Sequence, residues 1–195
     1  MVISCHSVSV DGYITGRGPV AGQGLGDGTS LFDWYFNGDT PSGVFDGFRL
    51  SAASAPLFDA LANRVGAVVA GRHTYDDSDG FDGGSPHPAA PLFVVSHRPV
   101  PGISDRQTLV TTGVEDAIAA AQAVAGTKDV SLMGGGVLAT ALRAGLVDEV
   151  VLHQVPVLLG GGRPFFQELP EHVRLRLIES IPAPGVTHLH YAVER

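Results

Sequence analysis

Cysteine is nearly absent from this 195-residue chain: Cys5 stands alone, so neither an intramolecular disulfide nor a cysteine-built metal site can form. Positive charge is short as well, with 12 basic against 20 acidic residues and a formal net charge of −8. Nucleic-acid binding draws on a basic stripe that neutralises phosphates, and none runs through this sequence, so no nucleic-acid partner is expected. His6, His73, His97 and His153 lie far apart and no His-Glu-x-x-His spacing occurs, which argues against a bound metal. Gly-x-Ser-x-Gly is missing, and with it the setting of a Ser-His-Asp hydrolase. No apolar run is long enough to cross a bilayer, and residues 1–10 lack the basic start and apolar stretch of a signal peptide. A cytoplasmic location with no membrane partner is the expectation.

What is abundant is apolar sequence cut by turn residues. Hydrophobic residues make up 44% and charged residues 16%, the composition of a folded domain rather than a disordered chain. The 26 glycines and 13 prolines gather between the apolar runs, framing loops, and residues 1–195 read as one domain. Residues 2–10 read as a strand ending on the Asp11-Gly12 turn. The spacing of Leu57, Leu61 and Val65 predicts a helix over 51–64, with Ser54 and Pro56 where a helix start belongs. Short strands follow at 67–70, 92–95, 109–110, 130–133 and 149–155. Helices are expected at 114–124, opened by the capping-box spacing of Thr112 and Glu115, and at 137–144. Strands alternating with helices indicate an α/β sheet with crossover connections, and the last two strands, 173–180 and 187–193, an antiparallel edge.

Three of these strand ends carry the same kind of chemistry. Met133 runs into Gly134-Gly135-Gly136 and a helix beginning at Val137 and Leu138. Such glycines let the backbone approach an anion while helix-start N–H groups face it, although a tight strand-to-helix turn would use them too. Neither the Lys-Ser/Thr of a Walker loop nor a full Gly-x-Gly-x-x-Gly follows. Gly71-Arg72-His73-Thr74 repeats the setting with a guanidinium able to fork onto a phosphate, and Ser96-His97-Arg98 closes a third strand. Open α/β sheets bind ligands at strand ends, and the three together offer donors enough for a dinucleotide. Gly160-Gly161-Gly162, followed by Arg163-Pro164, reads instead as a loop or bulge.

For the substrate side, Asp33 beside Trp34 and Tyr35 is the first candidate acid. Burial against the rings would raise its pKa toward a proton donor's range, while capping of a short helix is the plainer role. Asp59 is the competing acid, projecting away from the Leu57/Leu61/Val65 face. Asp11 shapes a turn or a mobile loop, and His6 and His153 fall in central strands, facing either a cleft or the core.

A family likeness rests on an ordered set of segments. These are Ser7-Val8-Ser9-Val10-Asp11-Gly12-Tyr13-Ile14, Val69-Ala70-Gly71-Arg72-His73-Thr74-Tyr75, Val94-Val95-Ser96 and Leu132-Met133-Gly134-Gly135-Gly136. Leu146-Val147-Asp148-Glu149, the run from Pro156 to Gly162 and Pro164-Phe165-Phe166 complete it. The set resembles the dihydrofolate-reductase superfamily, and within it the bacterial branch containing the C-terminal reductase domain of the bifunctional riboflavin-biosynthesis deaminase-reductase. The resemblance implies a three-layer α/β fold: a mostly parallel eight-stranded sheet, helices on both faces and an antiparallel C-terminal edge. It implies NADPH as cofactor, with Arg72, His73 and Thr74 at phosphates and Ser96, His97 and Arg98 around the adenosine-side ribose and its phosphate. Gly134, Gly135 and Gly136, then Val137 and Leu138, would hold the pyrophosphate and shape the nicotinamide pocket. Asp11, Trp34, Tyr35 and His153 would meet the substrate, and related reductase domains pair as homodimers.

The departure from the family pattern lies at about 17–53, a glycine-rich insertion. Across it Asp33 and Asp59, the latter just beyond its end, compete for the place of the acid that binds the pterin in dihydrofolate reductases. No deaminase segment is expected. The expected chemistry is hydride transfer from NADPH to a C=N or carbonyl-type bond of a small pterin-, pyrimidine- or flavin-like heterocycle. A riboflavin-pathway-like reductase of a phosphoribosylamino-pyrimidine and a non-catalytic pterin-, flavin- or nucleotide-binding module are the alternatives.

Overall fold

The computed structural model describes residues 1–194. Strand β1 (Val2–Ser9) leads to two-residue strands β2 (Thr40–Pro41) and β3 (Arg49–Leu50), helix α1 (Ala55–Arg64) and β4 (Val65–Gly71). Next come α2 (Arg72–Asp77), β5 (Leu92–Val95), β6 (Gln107–Val110), α3 (Val114–Ala125), β7 (Asp129–Met133) and α4 (Gly135–Arg143). Strands β8 (Glu149–Val155), β9 (Leu175–Ala183) and β10 (Val186–Val193) complete the order, and 3-10 turns span Thr29–Tyr35 and Asp79–Gly83.

Alternation along the strands decides how the sheet is covered. In β4, Ala67 and Val69 face one layer while Val68 and Ala70 face the other, and all four are buried. The first layer holds α3 and α4, which bury Ala117, Ile118, Val137 and Leu138. On the opposite side α1 and the 29–35 turn pack Phe58, Leu31 and Trp34 with Val155 and Val186. The eight strands run β6-β5-β4-β7-β1-β8-β10-β9, parallel through β8, with β10 and β9 as the expected antiparallel edge. Edge strand β9 leaves Leu175, Leu177 and Ile178 exposed. Among the described residues no helix is long and apolar enough to cross a membrane, and no His/Cys/Asp/Glu group is arranged to hold a metal ion.

Three local expectations need correction. Of the expected Leu57/Leu61/Val65 stripe, Leu61 and Val65 are buried but Leu57 is only half-buried. Helix α1 buries Phe58 in its place, because aromatic residues of the 17–53 region cover the helix and draw Phe58 inward. Ser54 stands at its N-cap but makes no capping bond, its hydroxyl being engaged by His188 at 2.8 Å. Helix α3 is opened by Gly113 at φ 120 with no side-chain cap, so Thr112 and Glu115 form no capping box. The 17–53 region, glycine-rich as it is, carries fully buried Leu31, Trp34 and Leu50 and walls the site described next.

Candidate active site

Strands β5, β4 and β7 are neighbours, so the turns leaving their carboxyl ends stand side by side. Arg72 donates to the Pro99 carbonyl at 3.0 Å, tying the turn after β4 to the turn after β5. A Cβ on Gly134 would lie 2.6 Å from Thr74 Oγ1, and one on Gly71 3.2 Å from Val137 Cγ2. The three segments singled out in the sequence therefore converge. Their glycines are unequal. Gly134 takes φ 100 as N-cap of α4, and Gly135 presses so close to the Pro164 and Phe165 carbonyl oxygens that a Cβ would meet them at 2.6 Å. Gly136 is exposed, with its nearest neighbour, Gln167 Nε2, 3.7 Å from where a Cβ would be. The amides of Gly135, Gly136 and Val137 open α4, and helix geometry gives them no intrahelical acceptor, which suits them to an anion such as a pyrophosphate.

From Thr74 and Gly134 a cleft of about 450 Å³ runs across β7 and β1. Its walls include Tyr35, Phe45, Phe48, Phe58 and Phe81. Two charged side chains face it, Asp77 and Arg163, paired at 2.7 Å, and Arg163 Nε is buried without a partner. His6 Nε2 accepts from the Gly134 amide at 3.0 Å, so the ring carries its proton on Nδ1, which is buried and unpartnered. Burial pushes the His6 pKa down to about 4 and keeps the ring neutral.

Cys5 Sγ lies 3.0 Å from His153 Nε2, and His153 Nδ1 lies 2.7 Å from His188 Nδ1. Burial raises the Cys5 thiol to about 12 and lowers His188 to about 4. His153 is driven well below the ordinary histidine value by burial first, then by the neighbouring His188 and His6. Burial likewise raises the Tyr35 phenol, which stays protonated.

The expected substrate residues divide. Tyr35 and His153 line the cleft. Trp34 sits behind it, its Nε1–H donated to Ser7 Oγ at 2.9 Å and its ring against His153 and His188 at 4.8 and 5.0 Å. Asp33 is exposed, because the 3-10 turn points Leu31 and Trp34 inward and leaves the acid on the solvent side, away from the rings expected to bury it. Asp59 accepts from Ser42 Oγ at 2.5 Å and from the Gly43 amide at 2.7 Å, which makes it an anchor for the loop before β3. Asp11 accepts from Ser9 Oγ at 2.5 Å and from the Leu159 and Gly160 amides, clamping the late glycine loop. The Ser9 bond foremost, with those amides, holds its carboxyl below the usual range.

Among the residues expected at a cofactor, Arg72 is engaged by Asp76 at 2.7 Å, and His73, His97 and Arg98 are exposed. His97 Nδ1 meets the Thr111 carbonyl at 3.1 Å, and the Ser96 hydroxyl is spent on the backbone of Arg98. Leu138 is a correction: its amide bonds the Gly134 carbonyl at 3.1 Å and its side chain is buried, so it offers nothing to a ligand. Cys5 and Asp77 were not among the sequence-based candidates for the cleft, whereas Arg163 was a spare basic candidate for a substrate phosphate. Only the period-2 alternation of Ile3, Cys5 and Ser7 along β1 could have put Cys5 on that face.

Residues 1–189 match the family of the RibD C-terminal domain. A Shewanella sp. PV-4 protein provisionally assigned to riboflavin biosynthesis is 31% identical over 100% of this chain and 99% of its own, with a TM-score of 0.72. A pyrimidine reductase-like protein from Corynebacterium diphtheriae shares the fold at 16% identity, coverage of 100% and 92%, and TM-score 0.64. Dihydrofolate reductase from Enterococcus faecalis, solved with NADP(H), does so at 14% identity, coverage of 100% and 97%, and TM-score 0.62. No curated protein matches the chain.

Proposed function

The chain belongs to the RibD C-terminal domain family and is an oxidoreductase; from that premise we propose that it uses NADPH to reduce a small planar heterocycle of pyrimidine or pterin type. The observation that carries the reading is continuity: Thr74 and Gly134 belong both to the convergent strand-end turns and to the aromatic cleft. A dinucleotide held at the turns would therefore reach a ring lying among Tyr35, Phe48 and Phe58. When bound, the nicotinamide supplies the hydride. The amides of Gly135, Gly136 and Val137 receive the pyrophosphate, and Arg98 and Arg72 face the adenosine-side phosphate. Arg72 does so in competition with Asp76. The aromatic walls orient the acceptor ring and exclude water. Asp77 and Arg163 present an acceptor and a donor to its polar edge, and together they leave the cleft neutral, as an uncharged ring requires.

A phosphoribosylamino-pyrimidine is the second reading, favoured by the unpartnered Arg163 Nε and by the nearby Arg17 guanidinium, which donates to the Gly160 carbonyl at 2.5 Å. Calorimetric titration with NADPH and NADH, followed by NADPH oxidation across phosphorylated and unphosphorylated pyrimidines and pterins, tests both. Tighter binding of NADPH and turnover of an unphosphorylated ring supports the first reading. Turnover confined to a phosphoribosylated ring supports the second, and failure to bind either nucleotide sinks both.

A further inference from the structure

Reduction of a C=N bond needs a proton as well as a hydride. Among the described residues, the carboxylate lining the cleft, Asp77, is already held by Arg163 at 2.7 Å, and Asp33 and Asp59 lie elsewhere. We propose that the proton arrives through a buried relay, Cys5–His153–His188–Ser54, whose cleft end is the Cys5 thiol; the proposal rests on the reductase reading above.

The relay is built by strand register. His188 of β10 lies opposite His153 of β8, and Ser7 of β1 lies opposite His153 on the other side, which puts Cys5 one pleat along on the same face. The links are 3.0 Å from Cys5 Sγ to His153 Nε2, 2.7 Å between the two Nδ1 atoms, and 2.8 Å from His188 Nε2 to Ser54 Oγ. Ser51 Oγ extends the line, 3.0 Å from Ser54 Oγ, and Ser51 retains 8% exposure. Cys5 and His153 line the cleft, and the Trp34 ring braces both imidazoles.

Each neutral imidazole carries one N–H, so only two proton arrangements satisfy every link. In the first, Ser54 donates to His188 Nε2, His188 Nδ1–H to His153 Nδ1, and His153 Nε2–H to Cys5 Sγ. In the second every link is reversed. Passing from the first to the second moves one proton at each link while Cys5 gives one up and Ser54 takes one in. Both imidazoles must then turn to restore the first arrangement for another turnover. Burial, which holds both rings in the neutral form, keeps the two arrangements accessible.

In the reaction, a bound reduced nicotinamide would supply the hydride, and with it the two electrons, to the carbon of C=N. The π pair moves to nitrogen, and that nitrogen takes the Cys5 S–H proton. Sγ takes the His153 Nε2 proton, His153 Nδ1 takes the His188 Nδ1 proton, and His188 Nε2 takes the Ser54 hydroxyl proton. Ser54 is refilled from Ser51, and Ser51 from solvent water.

The free, full-length protein decides whether the relay exists. With ¹⁵N-histidine labelling, Cys5→Ala is expected to shift the tautomer populations of His188, which it does not touch, and Ser54→Ala those of His153. If each substitution alters only the ring beside it, the relay is overturned. For its use, the probe is whichever pyrimidine or pterin drives NADPH oxidation. Cys5→Ala should lower kcat about 100-fold with little change in KM and a larger solvent deuterium effect, and Cys5→Ser should restore part of it. Unchanged kcat in Cys5→Ala overturns the catalytic role even where the tautomers are coupled. Absence of any NADPH oxidation defeats the reductase reading and that role together, while the tautomer coupling still decides the relay.

Discussion

The two halves of the cleft are made from different material. At the β7 end the groups proposed to meet a ligand are backbone amides placed by a glycine turn, with Arg72 and Arg98 on the neighbouring turns. Across the cleft they are side chains drawn together by strand pairing, Cys5 and His153 being 148 positions apart. A site of amides is sensitive to shape and indifferent to acid, whereas a site of buried imidazoles depends on packing and on staying neutral. The contrast is open to attack by substitution and by pH.

The heaviest blow falls on the side-chain half. Trp34→Ala removes a fully buried ring that braces both histidines, and a loss of about 3–5 kcal/mol is expected in urea unfolding. Trp34→Phe, which keeps a ring but loses the bond to Ser7, should cost about 1–2 kcal/mol. On the amide half, Gly135→Ala pushes a Cβ against two backbone carbonyls, and about 1–3 kcal/mol is expected. Gly136→Ala, one residue on and open to solvent, should stay within about 0.5 kcal/mol. Equal costs at the two positions would mean that the turn is not packed as described.

Acid separates the halves next. His6 and His188 are held near 4 in the folded chain against an ordinary value of 6.5. Between those values the unfolded chain binds protons that the folded chain refuses. Their contribution to stability is therefore whole above about pH 6.5 and is lost as the pH falls toward 4. Urea midpoints measured down this range should fall, and His188→Asn should flatten the fall; a fall of unchanged steepness would contradict the assignment. Smaller again is Arg98→Ala, expected to weaken NADPH about tenfold (~1.4 kcal/mol) while leaving NADH untouched. The smallest effect is assigned to Asp33→Asn, which should change stability by less than about 0.5 kcal/mol and activity hardly at all, the side chain being exposed.

The same contrast explains what could be read before folding. Apolar alternation and turn residues are local signals, so strands such as β1 and β8 and the antiparallel edge were legible, as were the three strand-end segments. That Gly135 is committed to packing against Pro164 and Phe165 while Gly136 is open was not, because a glycine's neighbour across the fold leaves no local mark. Ser54 looked like a cap for the same reason: nothing near it in sequence announces His188. The acids misled most. Asp33 beside Trp34 and Tyr35 has the composition of a buried acid, but the i, i+3 geometry of the 3-10 turn buries Leu31 with Trp34 and turns Asp33 out. Asp77 and Arg163, which do face the cleft, meet only in three dimensions.

A single ligand path from the glycine turns to the aromatic cleft can be followed by titrating ¹⁵N-labelled protein with NADPH and watching the backbone amides. Saturable shifts are expected at Thr74, His97, Arg98 and Gly134 through Val137, together with the His6 ring. Shifts confined to other parts of the chain, or none at all, would contradict that path.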